Sequence, residues 1–225
     1  MLKTLRDPRL PLRKLRRRFG RRRPEPFFAT QPKESSIHPT VEIHNPERIH
    51  LGERVSLGPH SVIKAPTRYP RGSMRHPEGK HVEETFDPVI HLGSGVSATA
   101  VLRITALEQI VVEDDVMFAS NVFVTDGSHG YSRMDLPYKY QGFEATAPVR
   151  IGRGSWIGQN VVIMPGVTVG EMCVIGANSV ITRSIPERSI AVGAPAIVMK
   201  RWDEEAGGWV PAAQSRSSSK ASEPV

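Results

Sequence analysis

The residues that could best take part in a reaction lie in one polar stretch, VFVTDGSHGYSRMDLPY, which runs from Val122 to Tyr138. It holds a histidine, His129, three positions after Asp126 and two before Tyr131. An imidazole titrates near physiological pH, so it can take a proton from an attacking hydroxyl or amine and return it later. A histidine alone in a polar loop is more often only solvated. The surrounding sequence is therefore needed to tell a catalytic histidine from one that is merely exposed to solvent.

This stretch interrupts a six-residue repeat that organises most of the chain. From residue 151 the sequence reads IGRGSW, IGQNVV, IMPGVT, VGEMCV, IGANSV and ITRSIP. An aliphatic residue opens each unit: Ile151, Ile157, Ile163, Val169, Ile175 and Ile181. A small or branched residue stands four positions later: Ser155, Val161, Val167, Cys173, Ser179 and Ile185. Weaker and less regularly spaced copies occupy residues 51–62, 92–109 and 112–123.

A period of six fits neither an α-helix nor a free-standing strand. It fits one short strand and a tight turn per unit, with one aliphatic residue of each unit pointing into a narrow core. Three units, about eighteen residues, would close one triangular coil, and stacked coils would form a parallel β-helix. The sequence therefore predicts an all-β fold built from hexapeptide repeats.

Two long aperiodic segments, residues 64–88 and 125–148, interrupt the repeat. Because the faces of a solenoid are flat, a concave site has to be built from such loops or from a neighbouring subunit. We predict one β-helix domain over residues 36–202 with both loops protruding. A basic, flexible arm would precede it at 1–35, and a disordered tail would follow at 203–225.

The basic charge of the chain is concentrated at its start. The formal net charge is +7, but residues 1–23 alone hold eleven Lys or Arg and one Asp, so the rest of the chain is acidic. A nucleic-acid-binding body is therefore not expected. Leu12, Leu15 and Phe19 recur among these arginines at helix-like spacing, which fits either peripheral contact with an anionic membrane or a solubilising arm. No apolar run is long enough to span a membrane, so we expect a cytoplasmic protein, with possible peripheral contact at the inner face of the membrane.

Neither the remaining histidines nor the cysteine predicts a further site. His38, His44 and His50 are spaced by six, but six residues advance one face of a triangular coil, so their side chains would diverge and hold no metal ion. The only cysteine, Cys173, falls at a regular core position of the repeat. We expect a small buried residue there. A single cysteine allows no intramolecular disulfide, which agrees with a reducing compartment.

The chain resembles the hexapeptide-repeat acyltransferases of the galactoside and maltose O-acetyltransferase kind, and is closer still to enzymes that acetylate bacterial polysaccharides. The stretch VEDDVMFASNVFVTDGSHGY aligns without a gap with the family's catalytic stretch, and residues 147–201 match its C-terminal coils, including a closing VGAPA at 192–196. The resemblance covers about residues 90–202. It implies a left-handed β-helix, a homotrimer with active sites between subunits, acetyl-CoA as acyl donor, no metal, and His129 as the catalytic base.

The resemblance also assigns residues to the pantetheine end of the donor. Gln159 and Ala177 would offer backbone groups to the pantetheine arm, with Gly176 beside them. Trp156 occupies a family aromatic position next to the pocket. Gly176 and Ala177 fit equally well as corner residues that any β-helix needs.

A second group of residues is expected at the nucleotide end of the donor. Thr182 and Arg183 would lie near the adenine, and Lys200 or Arg201 near the phosphates. Thr182 fits a plain corner as well, and a solvated C-terminal cap is the alternative for Lys200 and Arg201.

On the acceptor side, Asp126 could orient the histidine, bind an acceptor hydroxyl, or cap the loop through its own backbone. Asn121 and Tyr131 are further candidates for acceptor contact, with packing or loop anchoring as the alternative. In an ungapped register, Thr99 and Leu107 replace an Asn and an Asp that help position the sugar in the galactoside enzymes, and the 64–88 segment has no counterpart there. The resemblance thus implies a retained catalytic step and a different acceptor.

The sequence favours acetyl transfer from acetyl-CoA to a hydroxyl of a sugar or polysaccharide. N-acetylation of an amino sugar or a small amine is the enzymatic alternative, because the same histidine can deprotonate an amine. A non-catalytic trimeric scaffold is the alternative from another class, although the intact histidine loop and the VGAPA segment argue against it.

Overall fold

The computed structural model describes residues 28–30, 33–70, 78–79, 83–144 and 146–213. In this part of the chain the elements are almost all strands, and the two helical segments are single 3-10 turns at Pro46–Arg48 and Tyr138–Tyr140. The strands, in chain order, are β1 (Ser36–Ile37), β2 (Glu42–His44), β3 (Ile49–Leu51), β4 (Ser56–Leu57), β5 (Val62–Lys64), β6 (Arg68–Tyr69), β7 (Glu84–Thr85), β8 (Val89–Leu92), β9 (Ser97–Ala98), β10 (Arg103–Thr105), β11 (Gln109–Val112), β12 (Met117–Phe118), β13 (Phe123–Thr125), β14 (Val149–Ile151), β15 (Trp156–Ile157), β16 (Val162–Ile163), β17 (Thr168–Val169), β18 (Val174–Ile175), β19 (Val180–Ile181), β20 (Ser189–Gly193), β21 (Ala196–Asp203) and β22 (Gly208–Pro211).

The strands stack in parallel into three faces of a prism. Face A contains β3, β8, β11, β14 and β17; face B contains β1, β4, β9, β12, β15, β18 and β20; face C contains β2, β5, β10, β13, β16 and β19. The chain visits the faces in the order A, B, C and then begins the next coil. The predicted parallel β-helix is thus confirmed, with three edges that we call A–B, B–C and C–A.

The core lies on the axis of the prism, where the predicted inward residues meet. All twelve residues singled out by the repeat, from Ile151 to Ile185, are at most 4% exposed. Among the residues that the structure describes, Phe118 on β12 is the largest fully buried side chain. Because each coil contributes only a few side chains to this narrow core, stability comes from stacking many coils rather than from one large cluster.

The corners require backbone conformations that most residues avoid. At the B–C edge Asn121, Asn160 and Asn178 have φ of 59°, 59° and 60°. Asparagine tolerates this left-handed region better than other non-glycine residues. Their side chains form a ladder, since Asn121 Nδ2 donates to Asn160 Oδ1 and Asn160 Nδ2 donates to Asn178 Oδ1, both at 2.9 Å.

The folded body begins earlier than the predicted boundary at residue 36. Phe28 is 3% exposed and packs in the core, and Thr30 pairs with His50 of β3 while its hydroxyl donates to Leu51 O at 2.9 Å. An aromatic side chain here covers the otherwise open end of the core. Residues 28–30 therefore belong to the β-helix and not to the arm, whose basic residues 1–23 lie outside the described part of the chain.

The predicted tail at 203–225 is also wrong at its start. β20 turns back into β21, which pairs antiparallel with β22. Trp202 and Trp209 face each other across this hairpin with ring centroids 5.6 Å apart, and Asp203 Oδ1 accepts from Ala206 N–H in the turn. The contact between the two tryptophans and the turn at Gly207–Gly208 stabilise the pairing of β21 with β22. This hairpin has no six-residue period, so the repeat does not predict it. Residues 214–225 lie outside the described part.

Both long loops leave the prism at the C–A edge. The 64–88 segment follows β5 and carries an antiparallel pair of strands, β6 and β7, while the 125–148 segment connects β13 to β14. In the part of the chain that the structure describes, no helix is long and apolar enough to cross a membrane.

Candidate active site

His129 lies on a short ladder within the 125–148 loop. It pairs with Phe143 in an isolated antiparallel bridge. Gly130 N–H donates to Gly142 O and Glu144 N–H donates to Ser128 O, both at 2.9 Å. The loop is therefore held by its own backbone hydrogen bonds, which fix where the imidazole is presented.

The hydrogen bond of the ring determines its tautomer. His129 Nδ1 lies 3.2 Å from Gly142 O. A carbonyl oxygen only accepts, so Nδ1 carries a proton, and in the neutral ring Nε2 is then the nitrogen with the lone pair. The side chain is exposed. A basic nitrogen is thus available at the surface of the loop, as a general base requires.

Aromatic side chains hold the imidazole ring from two sides. Phe143 stacks on it with centroids 4.5 Å apart and planes at 25°, and Tyr69 meets it edge-on at 5.1 Å. Tyr69 also packs against Phe143 at 4.9 Å, and Phe86 packs on the same ring at 5.5 Å. Since Tyr69 and Phe86 belong to the 64–88 segment, the two loops form one structure around His129.

Glu84, on β7, ties the two loops together. Both of its carboxylate oxygens lie 3.2 Å from Phe143 N–H. At the outer end of the loops, Arg133 pairs with Asp135 and with Glu78 of the 64–88 segment.

Asp126 does not take the role expected on the acceptor side. Its side chain is completely buried, and its carboxylate accepts from Leu107 N–H at 2.7 Å and from Glu108 N–H at 2.8 Å. Burial raises the pKa of this carboxyl, against the opposing effect of those two hydrogen bonds. Asp126 therefore anchors the base of the loop to the coil below, which matches the loop-holding alternative rather than an acceptor contact.

The other two acceptor candidates differ in their surroundings. The Asn121 amide is part of the asparagine ladder at the B–C edge, away from the edge where the His129 loop leaves, so its role in one subunit is packing. Tyr131 follows the histidine by two residues, and its side chain is 67% exposed. Its backbone N–H donates to Glu144 Oε1 at 3.2 Å, so the phenol remains a candidate for acceptor contact.

Leu107 and Thr99, the positions that depart from the galactoside enzymes, have structural roles here. Leu107 is buried under the loop, where a Cβ added to Gly127 would lie 2.5 Å from Leu107 Cδ1. Thr99 is exposed, with its hydroxyl 3.4 Å from Phe118 O.

The residues expected at the pantetheine end of the donor lie on one side of the prism. Trp156 points outward from face B and is 48% exposed. Gln159, Gly176 and Ala177 lie at the B–C edge, where Asn178 N–H donates to Gln159 O at 2.8 Å and Gly176 N–H donates to Ala191 O at 2.9 Å.

The residues expected at the nucleotide end are divided between two regions. Thr182 and Arg183 follow β19 at the C–A edge, which is also the edge of the His129 loop, and both are exposed. Lys200 and Arg201 lie on β21, paired with Ile190 and Ser189 of β20. A single subunit thus places the predicted donor residues on two different edges.

His38, His44, His50 and Cys173 occupy separate places in the β-helix. Among the described residues no group of three or more His, Cys, Asp or Glu could hold a metal ion. His44 and His50 lie on faces C and A, and His38 follows β1 on face B, so they diverge as expected. Cys173 is buried with Sγ 3.1 Å from Pro186 O, and burial raises the pKa of its thiol, so it is a core residue.

Four residues of this site were missed by sequence reasoning: Tyr69, Glu84, Phe86 and Phe143. The available signal is the lack of a period: Phe143 lies in the 125–148 segment and the other three in the 64–88 segment, and long loops of this kind often carry function. The 64–88 sequence carries no period from which its contacts with a loop some sixty residues away could be read.

Comparison with known proteins agrees with the repeat and the fold. The family model described as bacterial transferase hexapeptide (six repeats) matches residues 148–183. The chain is 34% identical over 128 residues to the putative lipopolysaccharide biosynthesis O-acetyl transferase WbbJ of Escherichia coli, covering 54% of this chain and 65% of that protein. It is 43% identical over 91 residues to a probable acetyltransferase of Mycobacterium tuberculosis, covering 40% of this chain and 30% of that protein. The chain thus spans less than two thirds of the length of either relative.

Among solved structures, AntD, an N-acyltransferase from Bacillus cereus in complex with dTDP and 3-hydroxybutyryl-CoA, is similar with a TM-score of 0.61 at 20% identity. The similarity covers 80% of this chain and 86% of that chain. With the hexapeptide repeat, it confirms the predicted left-handed β-helix.

Proposed function

We propose that this chain, which carries the bacterial transferase hexapeptide repeat and resembles the hexapeptide-repeat acyltransferases, transfers an acetyl group from acetyl-CoA to a hydroxyl of a saccharide. The observation that carries the proposal is the state of His129. Its Nδ1–H is fixed by Gly142 O, and its Nε2 is left basic in an exposed loop at the position where the family has its catalytic histidine.

The chemistry needs one well-placed imidazole. Nε2 of His129 takes the proton of the acceptor hydroxyl as that oxygen attacks the thioester carbonyl carbon. The C–S bond then breaks, and the imidazolium returns the same proton to the leaving thiolate. The Gly142 carbonyl stabilises the positive ring in between, while Phe143 and Tyr69 keep its orientation.

The donor site supports a homotrimer as part of the proposal. Thr182 and Arg183 share the C–A edge with the His129 loop, whereas Gln159, Gly176 and Ala177 lie at the B–C edge. A groove lined by both sets requires the C–A edge of one subunit against the B–C edge of the next. Such a head-to-tail contact closes a ring when repeated around an axis.

A saccharide acceptor is supported by the sequence similarity to WbbJ, which is named for lipopolysaccharide biosynthesis. Tyr131 and Tyr69 offer exposed and half-buried aromatic surface beside His129. We also propose that the basic residues 1–23 bring the protein to an anionic membrane surface from the cytoplasmic side, where a lipid-linked or polymer-bound acceptor would be presented.

The test compares His129→Ala with His38→Ala, an exposed histidine on the first coil. We expect His129→Ala to lower acetyl transfer, measured as release of the CoA thiol with saccharide acceptors, on the order of 10²-fold or more. His38→Ala should keep the wild-type rate, and both variants should unfold at the wild-type temperature. Equal rates for the two variants would contradict the role of His129.

Product analysis separates the alternatives from the proposal. An acetyl group that mild alkali removes from the product is an ester, whereas one that resists is an amide and would replace O-acetylation by N-acetylation. Absence of coenzyme A binding in calorimetry would instead favour a non-catalytic scaffold.

A further inference from the structure

One peptide unit stands between the Glu84 carboxylate and the His129 ring. The carbonyl of this unit belongs to Gly142 and lies 3.2 Å from His129 Nδ1. The N–H of the same unit belongs to Phe143 and faces both oxygens of Glu84 at 3.2 Å. The order of groups is therefore carboxylate, peptide N–H, peptide C=O and imidazole N–H.

The geometry of the ladder explains why Phe143 N–H needs this partner. The bridge between His129 and Phe143 uses Gly130 N–H and Glu144 N–H for its two hydrogen bonds. Phe143 N–H therefore points away from the 128–130 segment. A donor directed into the contact between two loops is costly to leave unsatisfied, and Glu84 satisfies it.

The backbone at Gly142 is shaped for the carboxylate. Gly142 has φ of +76°, and an added Cβ would lie 1.6 Å from Glu84 Oε1 and 2.8 Å from Glu84 Cδ. The carboxylate thus occupies the space of the missing side chain, and only glycine permits this approach.

A carboxylate at the N–H end of a peptide unit polarises that unit. It draws the N–H hydrogen and increases the negative charge on the carbonyl oxygen, so the next hydrogen bond in the series is strengthened. Here the next hydrogen bond is the one from His129 Nδ1–H to Gly142 O. The same bond would stabilise the imidazolium that forms when Nε2 takes a proton. In many sites a carboxylate contacts the histidine directly and has this effect; here Asp126 is buried below the loop and cannot.

Three other charged side chains in or beside the described part of the loops have partners other than the His129 ring. Glu144 accepts from Tyr131 N–H, Glu108 accepts from Thr146, and Arg133 pairs with Asp135 and Glu78. Tyr69 and Phe143, which touch the ring, bring no charge.

We propose that Glu84 is a positioning residue that acts on His129 through the Gly142–Phe143 peptide unit, fixing the Nδ1–H tautomer and increasing the basicity of Nε2. This role of Glu84 rests on the proposed function only for its effect on the rate of acetyl transfer, and its effect on the His129 tautomer does not depend on that function. The 64–88 segment would therefore supply part of the catalytic apparatus, rather than only shape an acceptor site.

The experiment uses the full chain with Glu84→Gln, Glu84→Ala and the control Glu83→Gln. A glutamine keeps an oxygen that can accept from Phe143 N–H but removes the charge. Glu83 is exposed and pairs with Arg68 at 3.5 Å, so its variant removes a neighbouring charge without touching the relay.

The first readout is the imidazole ¹⁵N spectrum, assigned with His129→Ala, which requires no substrate. We expect the wild type and Glu83→Gln to show Nδ1–H with an unprotonated Nε2. Glu84→Gln should show a mixture in which the Nε2–H tautomer is populated. An unchanged tautomer in Glu84→Gln would overturn the proposal whatever the reaction is.

The second readout is the pH–rate profile of acetyl transfer. Without the carboxylate the imidazolium is less stabilised, so the acid limb should move to lower pH by about half a unit, a threefold change in the protonation equilibrium. The plateau kcat should fall on the order of 10-fold because the base is weaker and less well oriented.

A role limited to holding the loop predicts a different result. Glu84→Gln would then retain the wild-type profile while Glu84→Ala loses rate at every pH, and this outcome would overturn the relay. Loss of rate in Glu84→Gln with an unmoved acid limb would overturn it as well. If His129→Ala keeps full activity, the proposed function fails, and the tautomer measurement still decides on Glu84.

Discussion

Replacing Gly142 by alanine tests the junction of the two loops most directly, because the chain contains a matched control. Gly142 and Gly79 both have φ of +76°, so an alanine at either position is forced into an unfavourable left-handed φ at a cost of about 1 kcal/mol. At Gly79 the new Cβ would meet nothing within 4 Å, whereas at Gly142 it would lie 1.6 Å from Glu84 Oε1.

The difference between the two variants can be worked out from this contact. The Glu84 side chain is flexible and can move away, but it then loses its hydrogen bond with Phe143 N–H. A hydrogen bond to a charged acceptor contributes about 1.5–3 kcal/mol, which corresponds to roughly 10- to 100-fold in the population of the arranged loop. The β-helix core does not touch this junction, so global stability should differ little between the variants.

Two measurements check the expectation. We expect kcat for acetyl transfer to fall about 10- to 100-fold in Gly142→Ala relative to Gly79→Ala, with equal thermal unfolding temperatures. The amides of Gly130 and Glu144, which close the ladder around His129, should exchange with solvent faster only in Gly142→Ala. Equal loss in both variants would assign the effect to backbone strain and refute the contact argument.

Two further predictions concern the base of the loop and the arm. Burial raises the pKa of Asp126 above its unfolded value, so the folded state binds the proton more tightly, and the contribution of this residue to stability should decrease as pH rises from about 4 through the raised pKa. The stability of Asp126→Asn, from urea unfolding between pH 4 and 8, should lack this decrease; parallel curves for variant and wild type would contradict it. Deletion of residues 1–23 should leave transfer to a soluble saccharide unchanged and weaken binding to vesicles that contain anionic lipid, and unchanged vesicle binding would exclude the membrane role.

The repeat allowed the fold to be predicted because it records packing directly. An aliphatic residue at every sixth position can be buried on one axis only if the chain turns after each unit, so the openers and the residues four positions later are all buried. The limits of the domain could not be read in the same way. Phe28 covers one end of the core, and Trp202 with Trp209 stabilises a hairpin at the other; neither contact has a period.

The candidate site was predicted in part. His129 was identified from its loop and from family resemblance, and its free Nε2 agrees with that role. Within one subunit Asp126 anchors the base of the loop and Asn121 joins a side-chain ladder, because a polar side chain in a loop or corner can bond neighbouring groups as well as a ligand. Here Leu107 and Glu108 N–H take the Asp126 carboxylate, and the asparagine ladder takes Asn121.

By itself, the sequence determined a three-sided parallel β-helix, the inward residues and the place where a histidine loop interrupts the coils. Only the tertiary structure decided which groups surround that histidine. Tyr69, Glu84 and Phe86 lie more than forty residues before His129, and they reach it because both loops leave the prism at the same C–A edge. Contacts between loops depend on where the coils place the ends of each loop. A local pattern of residues does not indicate how close two such loops lie in the folded chain.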